Sequence, residues 1–171
     1  TASIRIMKEF LHIQKSNPQK NGYSVEMIND NVYYWSLKLF DFDTKDPIAK
    51  DLKKMGRQCI ELSITFPPTY PFSTPFIRVI RPRFGKLIKN IVFQTGHVTI
   101  GGSICMELVI KIWIDGITID KLTSSGWSPS CTVESTIMAI RCSLIDGGAR
   151  LDFYNKSDYS EAEAIEAFKR G

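Results

Sequence analysis

Between Phe66 and Pro75 the chain reads FPPTYPFSTP, and no other stretch limits the possible folds as much. Its four prolines fix φ and remove the N–H donors that a sheet ladder needs, so it cannot be a central strand and must be a rigid connection. Strand patterns lie on both sides of it. Ile60, Leu62, Ile64 and Phe66 alternate with Glu61, Ser63 and Thr65 ahead of it, and Phe76 to Ile80 follows. Further upstream, Trp35, Leu37 and Leu39 alternate with Tyr34, Ser36 and Lys38, and Val25 to Ile28 begins a strand that turns at Asn29, Asp30 and Asn31. A four-stranded antiparallel meander is therefore expected.

Helices are expected at the two ends. Ile6, Phe10 and Ile13, beside Met7 and Leu11, give one apolar stripe with Arg5, Lys8 and Lys15 outside it, and Asn17, Pro18, Asn21 and Gly22 break the helix. Thr132 can cap a second helix carrying Val133, Ile137, Ile140 and Leu144, which Gly147 and Gly148 end. Ser160 and Glu163 form a capping box for a third, expected to bury Ile165 and Phe168.

From Ile80 to Val109 no clean period appears, so a long irregular region surrounds Cys105. Residues 110–121 then read as a β-hairpin turning at Asp115-Gly116, with Ile114 opposite Ile117, Ile112 opposite Ile119 and Lys111 opposite Asp120. Its isoleucine face needs a cover, from the domain itself or from a partner. Helices segregated from an antiparallel sheet make an α+β domain, and residues 1–171 fit one domain, since domains run about 100 to 200 residues.

Composition narrows the function. The chain is 43% hydrophobic and 23% charged, an ordinary globular balance, and its 22 basic side chains are dispersed among 18 acidic ones. No tract is suited to a phosphate backbone, so nucleic acid is not an expected partner. The strongest local bias, Arg78, Arg81, Arg83, Lys86 and Lys89, fits either an acidic partner or a solvated surface. No run approaches a membrane span and residues 1–8 lack a signal-peptide stretch, which points away from membranes and toward the reducing cytosol or nucleus. The chain begins at Thr1 instead of Met, as expected of a piece of a longer protein.

Four cysteines, Cys59, Cys105, Cys131 and Cys142, lack CxxC spacing, and only His12 and His97 could join them, so neither metal nor redox chemistry is indicated. Cys59 and Cys142 fall in periodic segments and read as structural. Cys105 follows Gly101, Gly102 and Ser103, which would let a backbone approach a bulky ligand closely. An unperturbed thiol, pKa about 8.5, is only slightly ionised near neutrality, so an enzyme must lower that value or use a reactive acyl donor. The nearby His97 could be a base, an oxyanion donor or a polar loop residue.

FPPTYPFSTP, GGSICMEL (Gly101 to Leu108) and GWSPSCTVES (Gly126 to Ser135) resemble, in order, the proline turn, active-site segment and following helix start of ubiquitin-conjugating enzymes. RIMKE (Arg5 to Glu9), NDNVYYW (Asn29 to Trp35) and GGARLDF (Gly147 to Phe153) are similar to the Q branch of that family. The resemblance implies that Cys105 carries ubiquitin, or a ubiquitin-like protein, as a thioester and passes it to an amine of a protein substrate. It implies no cofactor for the chain itself, ATP being used by the activating enzyme upstream. By position, Arg5 and Lys8 match sites for the activating enzyme and ligases, and Phe72, Pro129 and Ser130 match the two loops that ligases grip, although Phe72 and Pro129 are also explained by packing.

The chain departs from most of the family at Thr95-Gly96-His97, where His-Pro-Asn is usual, so His97 stands in the oxyanion Asn position; the Q branch shares the departure. Asp152, with Asp146 second, is nearest to the acidic residue that deprotonates the incoming lysine. Residues 84–94 and 109–125 read as insertions relative to the Q branch. Two other functions fit the chain: a non-catalytic module of the same fold that binds ubiquitin or a ligase, and a cysteine hydrolase using Cys105 and His97.

Overall fold

In the computed structural model, which describes residues 1–104 and 127–170, the alternating runs build the expected sheet. Strands β1 (Tyr23–Ile28), β2 (Asn31–Leu39), β3 (Ile60–Thr65) and β4 (Phe76–Arg81) lie side by side in chain order, each pair antiparallel. Register follows the period of two. Leu37, Leu62 and Val79 form one cross-sheet row and Trp35, Ile64 and Ile77 another, all at most 1% exposed. Asn29 and Asp30 join β1 to β2 at φ 52° and 55°, left-handed conformations that short polar side chains tolerate in a tight hairpin turn.

Helix α1 (Ala2–Lys15) buries Ile6 and Ile13 and half-buries Phe10, whose ring meets Trp35 edge-on at 5.2 Å. Met7 and Leu11, expected in the same stripe, are 39% and 51% exposed, because α1 touches the core along a narrower face than the pattern suggests. An unforeseen helix, α2 (Pro47–Met55), sits between β2 and β3. Its signals are plain in retrospect: Asp46 at the N-cap, Pro47 at the first position, Ile48 and Leu52 buried four apart, and Gly56 at φ 71° closing the C-terminus.

A second unforeseen feature is a hairpin inside the region read as irregular. Strands β5 (Lys86–Ile88) and β6 (Ile91–Phe93) pair across Lys89 and Asn90, both left-handed. Each strand has three residues and no alternation, so neither period could reveal it.

Helix α3 (Val133–Asp146) starts at the predicted Thr132, whose hydroxyl accepts the Ser135 N–H while the Ser135 hydroxyl accepts the Thr132 N–H. Its Val133, Ile137, Ile140 and Leu144 are fully buried in the core shared with the sheet. Helix α4 (Glu161–Arg170) carries the predicted Ser160–Glu163 capping box. It buries Ala164, and Ile165 is 39% exposed, contrary to expectation: α4 meets the domain through Ala164, the Glu163 backbone and Ala167, and Ile165 lies off that face. Cys105, the hairpin and the insertion expected at 110–121 and 109–125, and the Phe168 side chain lie outside the described residues.

Candidate active site

The approach to Cys105 is fixed by backbone pairing. Thr99 N–H donates to the Ser103 carbonyl at 2.9 Å and the two hydroxyls meet at 2.8 Å, closing a turn over Ile100 to Gly102. The returning limb joins the free edge of β4: Val79 N–H donates to the Gly102 carbonyl at 2.8 Å, and Ile104 N–H to the Ile77 carbonyl at 3.0 Å. Cys105 is the next residue in the chain.

Gly101 and Gly102 have a role other than the one the sequence suggested. A Cβ at Gly101 would lie 2.2 Å from the Glu163 carbonyl oxygen of α4, and one at Gly102, φ 92°, would strike the Tyr159 ring at 2.6 Å. The glycines admit the protein's own α4 and Tyr159 rather than a bulky ligand. Tyr159 is buried, donates to the Phe84 carbonyl and accepts the Phe84 N–H; burial raises its hydroxyl pKa.

His97 is half-buried at φ 61°, a left-handed value uncommon outside glycine and enriched at working sites. Its ring lies against the turn after α3, where a Cβ on Gly147 would come within 2.9 Å of Cδ2. Asp152 is half-buried beside Gly85 and Tyr159, and its Oδ1 accepts the N–H groups of Tyr154 at 2.8 Å and Asn155 at 3.2 Å. The carboxylate is thus a local turn cap whose Oδ2 has no hydrogen-bond partner among the described residues. Asp146 is exposed at the end of α3.

The residues matched to partner binding gather around one network. Phe72, 75% exposed, stands beyond the cis Tyr70-Pro71 bond, and Pro129 and Ser130 are exposed on the loop before α3. Trp127 Nε1 donates to the Pro71 carbonyl at 2.8 Å, tying the two loops together. Arg5 spends its donors inside the protein, on Glu9 at 3.1 Å and on the carbonyls of Pro129 and Cys131 at 3.1 and 3.3 Å; Lys8 is exposed beside it.

Glu9 was not singled out in the sequence, yet it joins three elements: Oε1 accepts the Val133 N–H of α3 at 2.8 Å, and Oε2 accepts Arg5 and the Tyr70 hydroxyl. Burial, then Glu9 itself, hold the Tyr70 hydroxyl protonated well above its ordinary range. The spacing of four between Arg5 and Glu9 on α1 was the available signal. Rings extend the network: Phe10, Trp35, Phe66, Tyr70 and Trp127 follow one another with centroids 4.8 to 6.0 Å apart.

Two further expectations concern the surface. Arg81 and Arg83 from the basic cluster are neutralised, Arg81 by Glu61 and Asp158, Arg83 by Glu163. Cys142 is exposed, whereas Cys59 and Cys131 are half-buried. Among the described residues no helix is long and apolar enough to cross a membrane, and no group of three or more His, Cys, Asp or Glu could hold a metal.

No protein-family model matches the chain. Among solved structures, the crystal structure of ubiquitin conjugating enzyme E2 from Plasmodium falciparum aligns with a TM-score of 0.55 at 17% identity, over 83% of this chain and 96% of that one. The architecture is therefore the ubiquitin-conjugating-enzyme fold. Mouse and human ubiquitin-conjugating enzyme E2 Q1 are each 37% identical over 98% of this chain and 36% of their own length. Mouse ubiquitin-conjugating enzyme E2 Q-like protein 1 is 35% identical over 85% of this chain and 79% of that protein. The chain belongs to the ubiquitin-conjugating enzyme family, in its Q branch. It spans about a third of the length of the E2 Q1 proteins, at 36%.

Proposed function

We propose that this chain accepts ubiquitin, or a ubiquitin-like protein, as a thioester on Cys105 and transfers it to a substrate amine. The Cys105 thiolate attacks the carboxyl-terminal carbonyl carried by the activating enzyme, forming one C–S bond and expelling that enzyme's thiolate. A lysine amine then attacks the new thioester: the C–N bond forms, the C–S bond breaks, the amine gives up a proton and Cys105 leaves as thiolate. The observation that carries this reading is the bonding of Gly102 and Ile104 to β4, which leads the chain to Cys105 from a fixed sheet edge.

His97 would donate to the oxyanion and Asp152 would draw the proton from the amine, through the Oδ2 that has no hydrogen-bond partner among the described residues. Phe72, Pro129 and Ser130 would meet a ligase, and Arg5 and Lys8 on α1 the activating enzyme and ligases. Residues 84–94, folded as the β5–β6 hairpin, and 109–125 would be additions to the Q-branch domain, and the cytosol or nucleus its location. The test is a charging reaction with activating enzyme and ATP, run in parallel with ubiquitin and its relatives. A thiol-sensitive adduct that Cys105→Ala abolishes is expected; no adduct with any of them overturns the reading.

A further inference from the structure

A carboxylate is rarely buried unless it is fully paired. Among the described residues one carboxylate is buried, Asp51 of α2, at 5% exposure. All its partners belong to a single segment. Oδ2 accepts from Arg150 Nε at 2.8 Å and from the Leu151 N–H at 3.0 Å, and Oδ1 accepts from Arg150 Nη2 at 3.2 Å. That segment is in turn locked to the turn bearing His97. Thr95 Oγ1 donates to the Arg150 carbonyl at 2.9 Å and accepts the Arg150 N–H at 3.0 Å, and Gly96 N–H reaches the Gly147 carbonyl at 3.2 Å. The contact is close: a Cβ on Gly96 would stand 2.7 Å from Ala149 Cβ.

We propose that Asp51 is a positioning residue for the transfer step: by holding the Arg150–Leu151 backbone it sets Asp152 next in the chain and, through Thr95, sets His97. The proposal rests on the acyl-transfer reading above. It assigns one side chain, outside contact with ubiquitin or the amine, a part in placing both helpers, beside the backbone bonds of Gly85 N–H to the Arg150 carbonyl at 2.9 Å and of Asp152 N–H to the Arg83 carbonyl at 2.8 Å. The consequence is selective. Loading exchanges one thiolate for another of similar leaving ability and has the lower barrier, whereas discharge to an amine must also take a proton from the attacking nitrogen, so discharge depends more steeply on a base and an oxyanion donor held in register.

The experiment compares single-turnover discharge of the pre-charged chain to free lysine with the rate of charging, in Asp51→Ala, Asp51→Asn, Thr95→Val and, as a control on the exposed side of α2, Lys50→Ala. Asp51→Ala is expected to lower the maximal discharge rate about 10²-fold, the scale of a misplaced catalytic group, without changing the lysine concentration at half-maximum or the charging rate. Asp51→Asn, which keeps the acceptor for Leu151, should restore part of the loss, and adding His97→Ala to Asp51→Ala should cost nothing more. Where Asp51→Ala fails to fold, Thr95→Val carries the test, with slower discharge at an unchanged charging rate expected. Equal losses in charging and discharge, multiplying effects of Asp51 and His97, or unchanged discharge each overturn the proposal. A wild-type chain that never charges overturns the acyl-transfer reading itself.

Discussion

Glu9 and Asp51 tie distant segments together in two parts of the fold, and they do it differently. The Glu9 side chain, 11% exposed, takes donors from α1, the proline loop and α3, and a ladder of five rings runs from Phe10 on α1 through Trp35 on β2 and the proline loop to Trp127 on the loop before α3. Asp51 stands, among the described residues, with no such ring ladder: one guanidinium and one N–H meet its carboxylate. The surface bearing Phe72 and Pro129 is therefore backed by a ladder of apolar rings, whereas the segment bearing Asp152 is held by backbone bonds to residues 83–85, by Thr95 and by the one buried ion pair of Asp51 with Arg150. In the first region damage should appear as stability, in the second as chemistry.

The largest effect expected is from Trp127→Ala, which empties a site only 1% exposed and releases Pro71: about 3 to 5 kcal/mol of stability, read by urea unfolding. Glu9→Leu should cost about 3 kcal/mol, since it leaves the Val133 N–H, the Tyr70 hydroxyl and Arg5 without their acceptor. Arg150→Met strands the Asp51 charge, but Arg150 is itself 40% exposed, so about 2 kcal/mol is expected by the same measurement. A loss as large as that of Glu9→Leu, or larger, would show that the two carboxylates act alike.

Acid should act on a third contact. Arg83 hydrogen-bonds Glu163 and holds its carboxyl below the ordinary range, so the unfolded chain binds the proton more readily. The stability from this pair is complete above the ordinary carboxylate pKa, about 4, and is lost as pH falls through the lower folded value. The melting-temperature gap between wild type and Glu163→Gln should thus shrink between pH 7 and pH 3. Smallest of all is Phe72→Ala, at a site 75% exposed: a change within about 0.5 kcal/mol, yet slower ligase-dependent transfer if this loop is a docking surface.

These regions also differ in how far the sequence revealed them. The sheet was legible because Trp35 and Leu37 on β2, and Leu62 and Ile64 on β3, alternate with polar residues, and alternation survives burial of one face only. The proline loop and the start of α3 were legible from prolines and caps, which act locally. What escaped was non-local or short: the contact of Asp51 with a segment 99 residues away, and a hairpin whose strands are three residues long. Gly101 and Gly102 were correctly read as a close approach, but no local pattern says that the approaching body is α4 and Tyr159.

The most direct measurement is peptide mapping by mass spectrometry, under non-reducing conditions, of the chain charged by activating enzyme and ATP. The ubiquitin carboxyl terminus should be found on Cys105 alone. An adduct on Cys142, which is exposed and accessible, or on Cys59 or Cys131, or none on any cysteine, would contradict the account.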